Sequence, residues 1–145
     1  MNTTALKIVI DTNILIAIIG KKSPFRWIFD CLINGKLALC VSTEIILEYH
    51  EILEQKNGDE VAENVVNFIN VSPYTQKTEI YYNFNLISVD EDDNKFVDCA
   101  IASDAICLVS NDSDLKPLLK IDFPKVNLLT LLEFEKQYKY ILLNS

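Results

Sequence analysis

The chain has 145 residues, half of them hydrophobic, and carries 21 acidic side chains against 13 basic ones, for a formal net charge of −8. This length is typical of one globular domain, and we expect a single domain over residues 1–145. A charge this negative, with Arg26 as the one arginine, argues against a broad basic face that grips nucleic acid. It does not exclude an acidic site that works through bound cations.

Membrane and zinc proteins are also disfavoured. The longest apolar run, residues 14–19, is far shorter than the ~18 residues of a membrane helix, and the N-terminus lacks the features of a signal peptide. The four cysteines form no C-x-x-C pair, and the single histidine, His50, leaves no ligand set for zinc. We expect a cytoplasmic protein with reduced, buried cysteines.

The hydrophobic pattern alternates between strands and helices along the chain. Strands are predicted over residues 6–10, 37–41, 106–110 and 126–130. Helices are predicted over residues 14–19, 24–34, 43–57, 59–69, 114–119 and 131–140, and a further helix is predicted to follow the acidic residues 90–93 and to include residues 96–101. For residues 73–88 the pattern does not decide between extended and helical structure. This alternation predicts a three-layer α/β/α sandwich around a mostly parallel sheet of four to five strands.

Several residues are expected to begin or end these helices. Thr12 or Asn13 is expected to cap the first helix, and Ser23-Pro24 to begin the second. Gly35 should end that second helix, and Ser42 should cap the third. Parallel sheets place their sites beyond the carboxyl ends of the strands, so residues that directly follow a strand are candidates for function.

Four acidic residues from separate segments are candidate ligands for a divalent cation. Asp11 follows the first strand, Glu48 lies on the helix after the second, Asp93 lies at an acidic helix start, and Asp112 follows the third strand. Mg²⁺ takes carboxylate oxygens, and a metal-dependent phosphodiester hydrolase needs several acids at one point. Each acid alone is also compatible with a capping, turn or solvated role, so only the fold can bring them together.

The segments that carry these acids resemble the PIN-domain family, in particular its VapC-like toxin components of toxin–antitoxin systems. The matching segments are IVIDTN at residues 8–13, EIILEY at 44–49, DEDDNKFVDCA at 90–100 and LVSNDSDL at 108–115. Their order covers residues 6 to about 135. The resemblance implies a single PIN-like domain and a cytoplasmic endoribonuclease that depends on Mg²⁺ or Mn²⁺.

The resemblance also implies roles for individual residues. The catalytic residues and the ligands of one or two ions would be Asp11, Glu48, Asp93 and Asp112. Asp98 and Asp114 are further candidate ligands, although Asp98 lies ~140° around a helix from Asp93 and suits a supporting or alternative position. Asn13 and Ser110 would orient the first and last acids by hydrogen bonds.

The substrate and partners are less constrained by the sequence. Lys21, Lys22 and Arg26 form the only tight basic group and are candidate RNA contacts, although a solvated loop is an equal alternative. The resemblance implies an RNA substrate and a protein antitoxin, and a homodimer is a further candidate; no membrane is expected. Without the six motif acids the net charge falls to −2, which places most of the acidity at the predicted site.

Three other interpretations compete with this one. Two are other acidic enzyme or signalling folds that differ in the residues after the first strand, and the third is a PIN-like domain whose acids do not catalyse. A receiver domain requires an acidic pair there, and a haloacid-dehalogenase phosphatase requires two aspartates two residues apart. The sequence Asp11-Thr12-Asn13 disfavours both. A non-catalytic PIN-like module that binds a partner stays open, and the apolar residues 138–143 suit either the core or a second subunit or antitoxin.

Overall fold

A five-stranded parallel sheet forms the centre of the molecule, which confirms the predicted fold class. The computed structural model describes residues 5–144. Its strand order is β3-β2-β1-β4-β5, with the central residue Ile8 in register with Leu39 and Cys107. The strands are β1 (Leu6–Ile10), β2 (Leu37–Val41), β3 (Gln76–Lys77), β4 (Cys107–Val109) and β5 (Leu128–Leu129).

Helices connect these strands. The α-helices of the described part of the chain are α1 (Thr12–Ile19), α2 (Arg26–Asn34), α3 (Thr43–Asn57), α4 (Asp59–Val71), α5 (Asn94–Ser103) and α6 (Leu131–Leu143). Two 3-10 helices span Glu91–Asp93 and Ser113–Lys120. None of the helices within residues 5–144 has the length and apolar character that crossing a membrane requires.

Both faces of the sheet are covered. All five residues of β2 are buried, and Ile8, Val9 and Ile10 of β1 are fully inaccessible. Successive residues of a strand point to opposite faces, so continuous burial requires a helical layer on each side. Helix α5 packs on β1, β2 and β4, while Trp27 of α2 stacks on Phe134 of α6 with ring centroids 6.1 Å apart.

The start of α1 differs from the prediction. Its cap is Asp11, whose Oδ1 accepts a hydrogen bond of 2.9 Å from the Ile14 backbone N–H, and neither Thr12 nor Asn13 serves this role. A carboxylate at this position satisfies a free N–H group and lies at the positive end of the helix dipole.

The start of α2 also differs from the prediction, because the helix begins at Arg26 and not at Ser23-Pro24. The Ser23 hydroxyl donates to the Ala17 carbonyl and accepts from the Phe25 N–H, which holds residues 23–25 in a turn. The predicted end of α2 and the predicted start of α3 are confirmed, since Gly35 adopts a positive φ of 86° directly after α2 and Ser42 caps the N-terminus of α3.

The second half of the chain contains less regular structure than predicted. Residues 73–88 include the two-residue strand β3 and are otherwise irregular, and the last predicted strand shortens to Leu128–Leu129. The four cysteines are free and buried, as expected. The apolar residues 138–143 lie partly in the core and partly on the surface, since Leu142 is buried whereas Tyr140 and Ile141 are exposed.

One buried hydrogen bond ties α3 to the end of β1. The Tyr49 hydroxyl, fully inaccessible to solvent, donates to the Ile10 carbonyl oxygen at 2.6 Å. We predict that Tyr49→Phe lowers the free energy of unfolding by ~1–2 kcal/mol, because the carbonyl loses its partner while the ring volume is kept. Urea denaturation measures this, with Tyr140→Phe as the exposed control; equal stability of the two variants would contradict it.

Candidate functional site

A cavity of about 290 Å³ lies beyond the carboxyl end of the central strand. Strand β1 has β2 on one side and β4 on the other, so the strand order reverses there, and ligands of parallel sheets bind at such a point. We call this the acid cavity, because its lining includes the four acids that the sequence singles out: Asp11, Glu48, Asp93 and Asp112. The fold therefore brings together residues that are far apart in the chain.

Asp11 is a buried carboxylate fixed on both oxygens. Its Oδ1 accepts from the Ile14 N–H, and its Oδ2 accepts from the Ser110 hydroxyl. Burial raises the pKa of Asp11, the two hydrogen bonds lower it, and the charges of Asp112 and Glu48 raise it further. Ser110 Oγ also accepts from the Asp112 N–H at 3.0 Å, so one hydroxyl links the first acid to the last.

Glu48 is also engaged on both oxygens. Its Oε2 accepts from the Thr12 hydroxyl, and its Oε1 pairs with the Lys95 ammonium at 2.6 Å. Lys95 Nζ lies 3.9 Å from Asp92 as well. The sequence analysis did not single out Lys95, although it lies inside the 90–100 motif, because nothing in the pattern shows which acid it would pair with.

Asp93 is the acid whose ionised form is least stabilised by the protein. Its Oδ2 is buried and has no hydrogen-bond partner among the described residues. The pKa of Asp93 is raised to about 7, mainly by burial and then by the charges of Asp112, Asp90, Asp11 and Asp114 in that order. A buried carboxylate oxygen without a donor, surrounded by other carboxylates, is suited to bind a cation.

A triad of carboxylates around Asp93 fits a divalent cation. One oxygen each from Asp90, Asp93 and Asp114 lies within 4.8 Å of the others, and oxygen ligands of this kind suit Mg²⁺ or Mn²⁺. The sequence named Asp114 as a candidate but not Asp90. The available signal was the acidic run at residues 90–93, within which the pattern does not show which carboxylates point inward.

Two further residues of the predicted set, Asp98 and Asn13, make no hydrogen bond to its other acids among the described residues. Asp98 is buried on α5, where its Oδ1 accepts from the Phe84 N–H at 3.1 Å, and it lines a second cavity beside the acid cavity. Asn13 is exposed at the edge of the acid cavity. Within residues 5–144 its side chain makes no hydrogen bond to an acid, and the neighbouring Thr12 makes that contact with Glu48.

The predicted basic group does not line the acid cavity. Arg26 donates to the Ile19 carbonyl, pairs with Asp30 and lies over the Phe29 ring. Lys21 and Arg26 border an apolar groove between α2 and α4, and Lys22 is exposed.

Lys56, by contrast, lines the acid cavity, and Lys95 reaches its edge through Glu48. The spacing of Glu48, Ile52 and Lys56 at intervals of four, typical of one helix face, could have identified Lys56.

Comparisons with known proteins bear on the family and the fold. The model of the PIN domain family matches residues 7–114, which include all the carboxylates of the acid cavity and of the triad. A search of curated protein sequences finds no match.

Solved structures share the fold. The Rickettsia felis VapBC2 structure, bound to a DNA fragment from its promoter, matches with a TM-score of 0.60 and 17% identity over 86% of this chain and 98% of that one. VapC20 of Mycobacterium tuberculosis, described as a sarcin-ricin loop cleaving toxin, matches with a TM-score of 0.55 and 12% identity over 75% of this chain and 92% of that one. The PIN domain endonuclease Utp24 matches with a TM-score of 0.54 and 17% identity over 89% of this chain and 87% of that one.

The carboxylates around Asp93 are expected to lower the stability of the folded protein by repulsion. We predict that Asp93→Asn raises the free energy of unfolding on the order of 1 kcal/mol in the presence of a chelator, because it removes a poorly solvated charge from among four other carboxylates. Urea denaturation checks this against Asp122→Asn, which removes an exposed charge and should change little. A destabilised Asp93→Asn would show that the repulsion is not significant.

Proposed function

Because the chain belongs to the PIN-domain family, we propose that it is a metal-dependent endoribonuclease that hydrolyses RNA phosphodiester bonds. The observation that carries the proposal is the buried, unpartnered Asp93 Oδ2 among converging carboxylates. The cleaving activities named for VapC20 and Utp24 support it as properties of similar structures. We further propose that it acts as the toxin of a toxin–antitoxin pair.

Asp93 is the central ligand in this proposal. It belongs both to the predicted set with Asp11 and Asp112 and to the triad with Asp90 and Asp114. These residues would hold one or two Mg²⁺ or Mn²⁺ ions. When bound, such a cation activates a water molecule and stabilises charge on the phosphate oxygens.

The protein's own residues position the acids for this role. Ser110 and the Ile14 N–H fix the Asp11 carboxylate in one orientation, as supporting hydrogen bonds do for metal-ligating carboxylates. Glu48 differs, because Thr12 and Lys95 occupy its two oxygens. We therefore assign Glu48 the additional role of holding the Lys95 ammonium at the cavity, where a positive charge can contact an RNA phosphate.

Partner binding follows from the same proposal. VapBC2 is named as an assembly bound to promoter DNA, which supports an antitoxin partner for this chain, whereas a homodimer and a cytoplasmic location stay predictions. A stable complex with an antitoxin, combined with inactivity on diverse RNAs, would instead favour the non-catalytic binding module.

The first test of the proposal is the dependence of RNA cleavage on metal and on Asp93. We predict that the purified protein cleaves RNA with Mg²⁺ or Mn²⁺ and not in EDTA, and that Asp11→Asn and Asp93→Asn each lower the cleavage rate at least 100-fold. Gel assays of labelled RNA measure the rate. Mn²⁺ should also raise the thermal midpoint of the wild type and not that of Asp93→Asn.

Asp122→Asn is the matched control for this test and should retain both cleavage and the Mn²⁺-induced shift. Cleavage that persists in EDTA, or a fully active Asp93→Asn protein, would contradict the proposal.

The second test asks which basic residues contact RNA. We predict that Lys95→Ala weakens RNA binding about 10-fold, because it removes the cation beside Glu48 and leaves that carboxylate to repel phosphate. Fluorescence anisotropy at two salt concentrations measures this effect. The double substitution Lys21→Ala and Lys22→Ala is the comparison and should have a smaller effect; the reverse order would place the RNA on the α2 side.

A further inference from the structure

A second cavity of about 240 Å³ lies directly beside the acid cavity. Asp92 lines both cavities, and Lys95, which lines the second one, pairs with Glu48 of the first. We call it the side cavity; in addition to Asp92 and Lys95, its polar lining residues are Ser42, Glu44, Asn83, Asn85, Glu91, Asn94 and Asp98. Ser42 follows β2 as Asp11 follows the neighbouring β1, so the two cavities occupy adjacent positions on the same edge of the sheet.

The wall of the side cavity is fixed by buried side chains of α5. Asn94 accepts from the Ile87 N–H at 2.9 Å and donates to the Ile87 carbonyl at 2.8 Å. Asp98 accepts from the Phe84 N–H. These hydrogen bonds attach the irregular segment 83–87 to the helix, so the cavity is already formed in the free protein, which lowers the entropic cost of binding.

Two deeply buried side chains present unused hydrogen-bonding capacity to the side cavity. Asp98 is 4% exposed, and within residues 5–144 no group donates to its Oδ2; Ser42 is 7% exposed, and its hydroxyl hydrogen has no acceptor there. Buried polar side chains normally use their hydrogen-bonding capacity. Asp98 Oδ2 reaches solvent in the cavity, since Asp93 Oδ2 is the fully buried side-chain atom without a partner among the described residues. An acceptor and a donor left open in one cavity indicate a ligand that carries both kinds of group.

The composition of the lining favours a nucleobase over a second cation. The carboxylates that converge within 4.8 Å in the described chain are Asp90, Asp93 and Asp114, none of which lines the side cavity. The side cavity instead combines amides, a hydroxyl and carboxylates with the apolar side chain of Ile80. Single-stranded RNA bases are recognised by such groups on their Watson–Crick edges, together with apolar contact to the ring.

Among the bases, guanine matches the carboxylates best. Its Watson–Crick edge carries two adjacent N–H donors, at N1 and N2, next to the acceptor O6, and carboxylates accept hydrogen bonds from base amino groups. Asp98 and Glu44 are close enough that the charge of Glu44 raises the pKa of Asp98. Two carboxylates therefore line one cavity within electrostatic range of each other and can accept hydrogen bonds from the two donors of guanine.

We propose that the side cavity binds a guanine base of the RNA substrate, adjacent to the phosphate in the acid cavity. Asp98 Oδ2 and the Glu44 carboxylate accept from N1–H and the N2 amine, while Ser42 and the amides of Asn83 and Asn85 supply donors for O6. This inference rests on the proposed ribonuclease function, since it assigns a base preference to the same substrate.

Matched RNA oligonucleotides test this assignment. A single-stranded RNA with one central guanine is compared with the same RNA carrying inosine, which lacks only the N2 amine, or adenine. Binding is measured by anisotropy with the Asp11→Asn protein and cleavage with the wild type. We expect guanine to be preferred to inosine about 10-fold, as for one hydrogen bond to a charged acceptor.

Two substitutions then locate the preference. Asp98→Asn keeps the Oδ1 acceptor for Phe84 but replaces the second oxygen by a donor, and Glu44→Gln changes an exposed residue without affecting the core. The variant that removes the acceptor of the N2 amine should reduce the preference for guanine over inosine to less than 3-fold and leave the affinity for the inosine RNA unchanged. The variant that removes the acceptor of N1–H should weaken the binding of the guanine and inosine RNAs alike and leave the affinity for the adenine RNA unchanged. Glu51→Gln, an exposed acid of the same helix α3 outside the side cavity, is the control and should retain the full preference.

The outcomes separate the two proposals. Metal-dependent cleavage with equal use of guanine and inosine would overturn the guanine site and leave the ribonuclease proposal intact. An equal loss of affinity for all three RNAs in Asp98→Asn and Glu44→Gln would also overturn it, because that pattern indicates a charge effect without base recognition. RNA that is neither bound nor cut would contradict both proposals.

Discussion

Repulsion among carboxylates at one edge of a parallel sheet is the constraint that this structure has to satisfy. The charge of Asp112 raises the pKa values of Asp11 and Asp93, and the charge of Asp11 also raises that of Asp93. Asp93 Oδ2 has no hydrogen-bond partner within the described chain. The buried sheet offsets this repulsion, because the continuous apolar runs of β1 and β2 fix the strands from which the acids project. Stability is thus supplied by the core and reduced at the cavity, as is common for sites that bind charged ligands.

The same local features that fold the chain also orient the acids. Asp11 caps α1, so the hydrogen bond that begins the helix also fixes one carboxylate oxygen, and Ser110 joins the ends of β1 and β4 through the other. The acidic run at residues 90–93 precedes α5, where the positive end of the helix dipole lowers the cost of collecting negative charge. Folding and site assembly therefore depend on the same hydrogen bonds.

This coupling explains how much could be predicted from the sequence. Strand β1 and the acid after it could be predicted, because a β-branched run followed by Asp-Thr-Asn has local signals for both. The position of Asp98 could not, since its direction depends on the segment 83–87, which is held by tertiary hydrogen bonds and has no periodicity of its own. Lys95 was missed for the same reason: its partner Glu48 is 47 residues away.

The net charge of −8 then has a local meaning. An acidic protein that acts on RNA must place positive charge where the phosphate enters, and here Lys95 stands between Glu48 of the acid cavity and Asp92, at the boundary with the side cavity. A nucleotide has the complementary arrangement, with an anionic phosphate beside a neutral base. Carboxylates that hold a cation suit the phosphate, and unpaired carboxylate and hydroxyl groups suit the donors and acceptors of the base. Acidity in the side cavity is therefore compatible with an RNA ligand, because the groups that meet it there are the N–H donors of a base and not the phosphate.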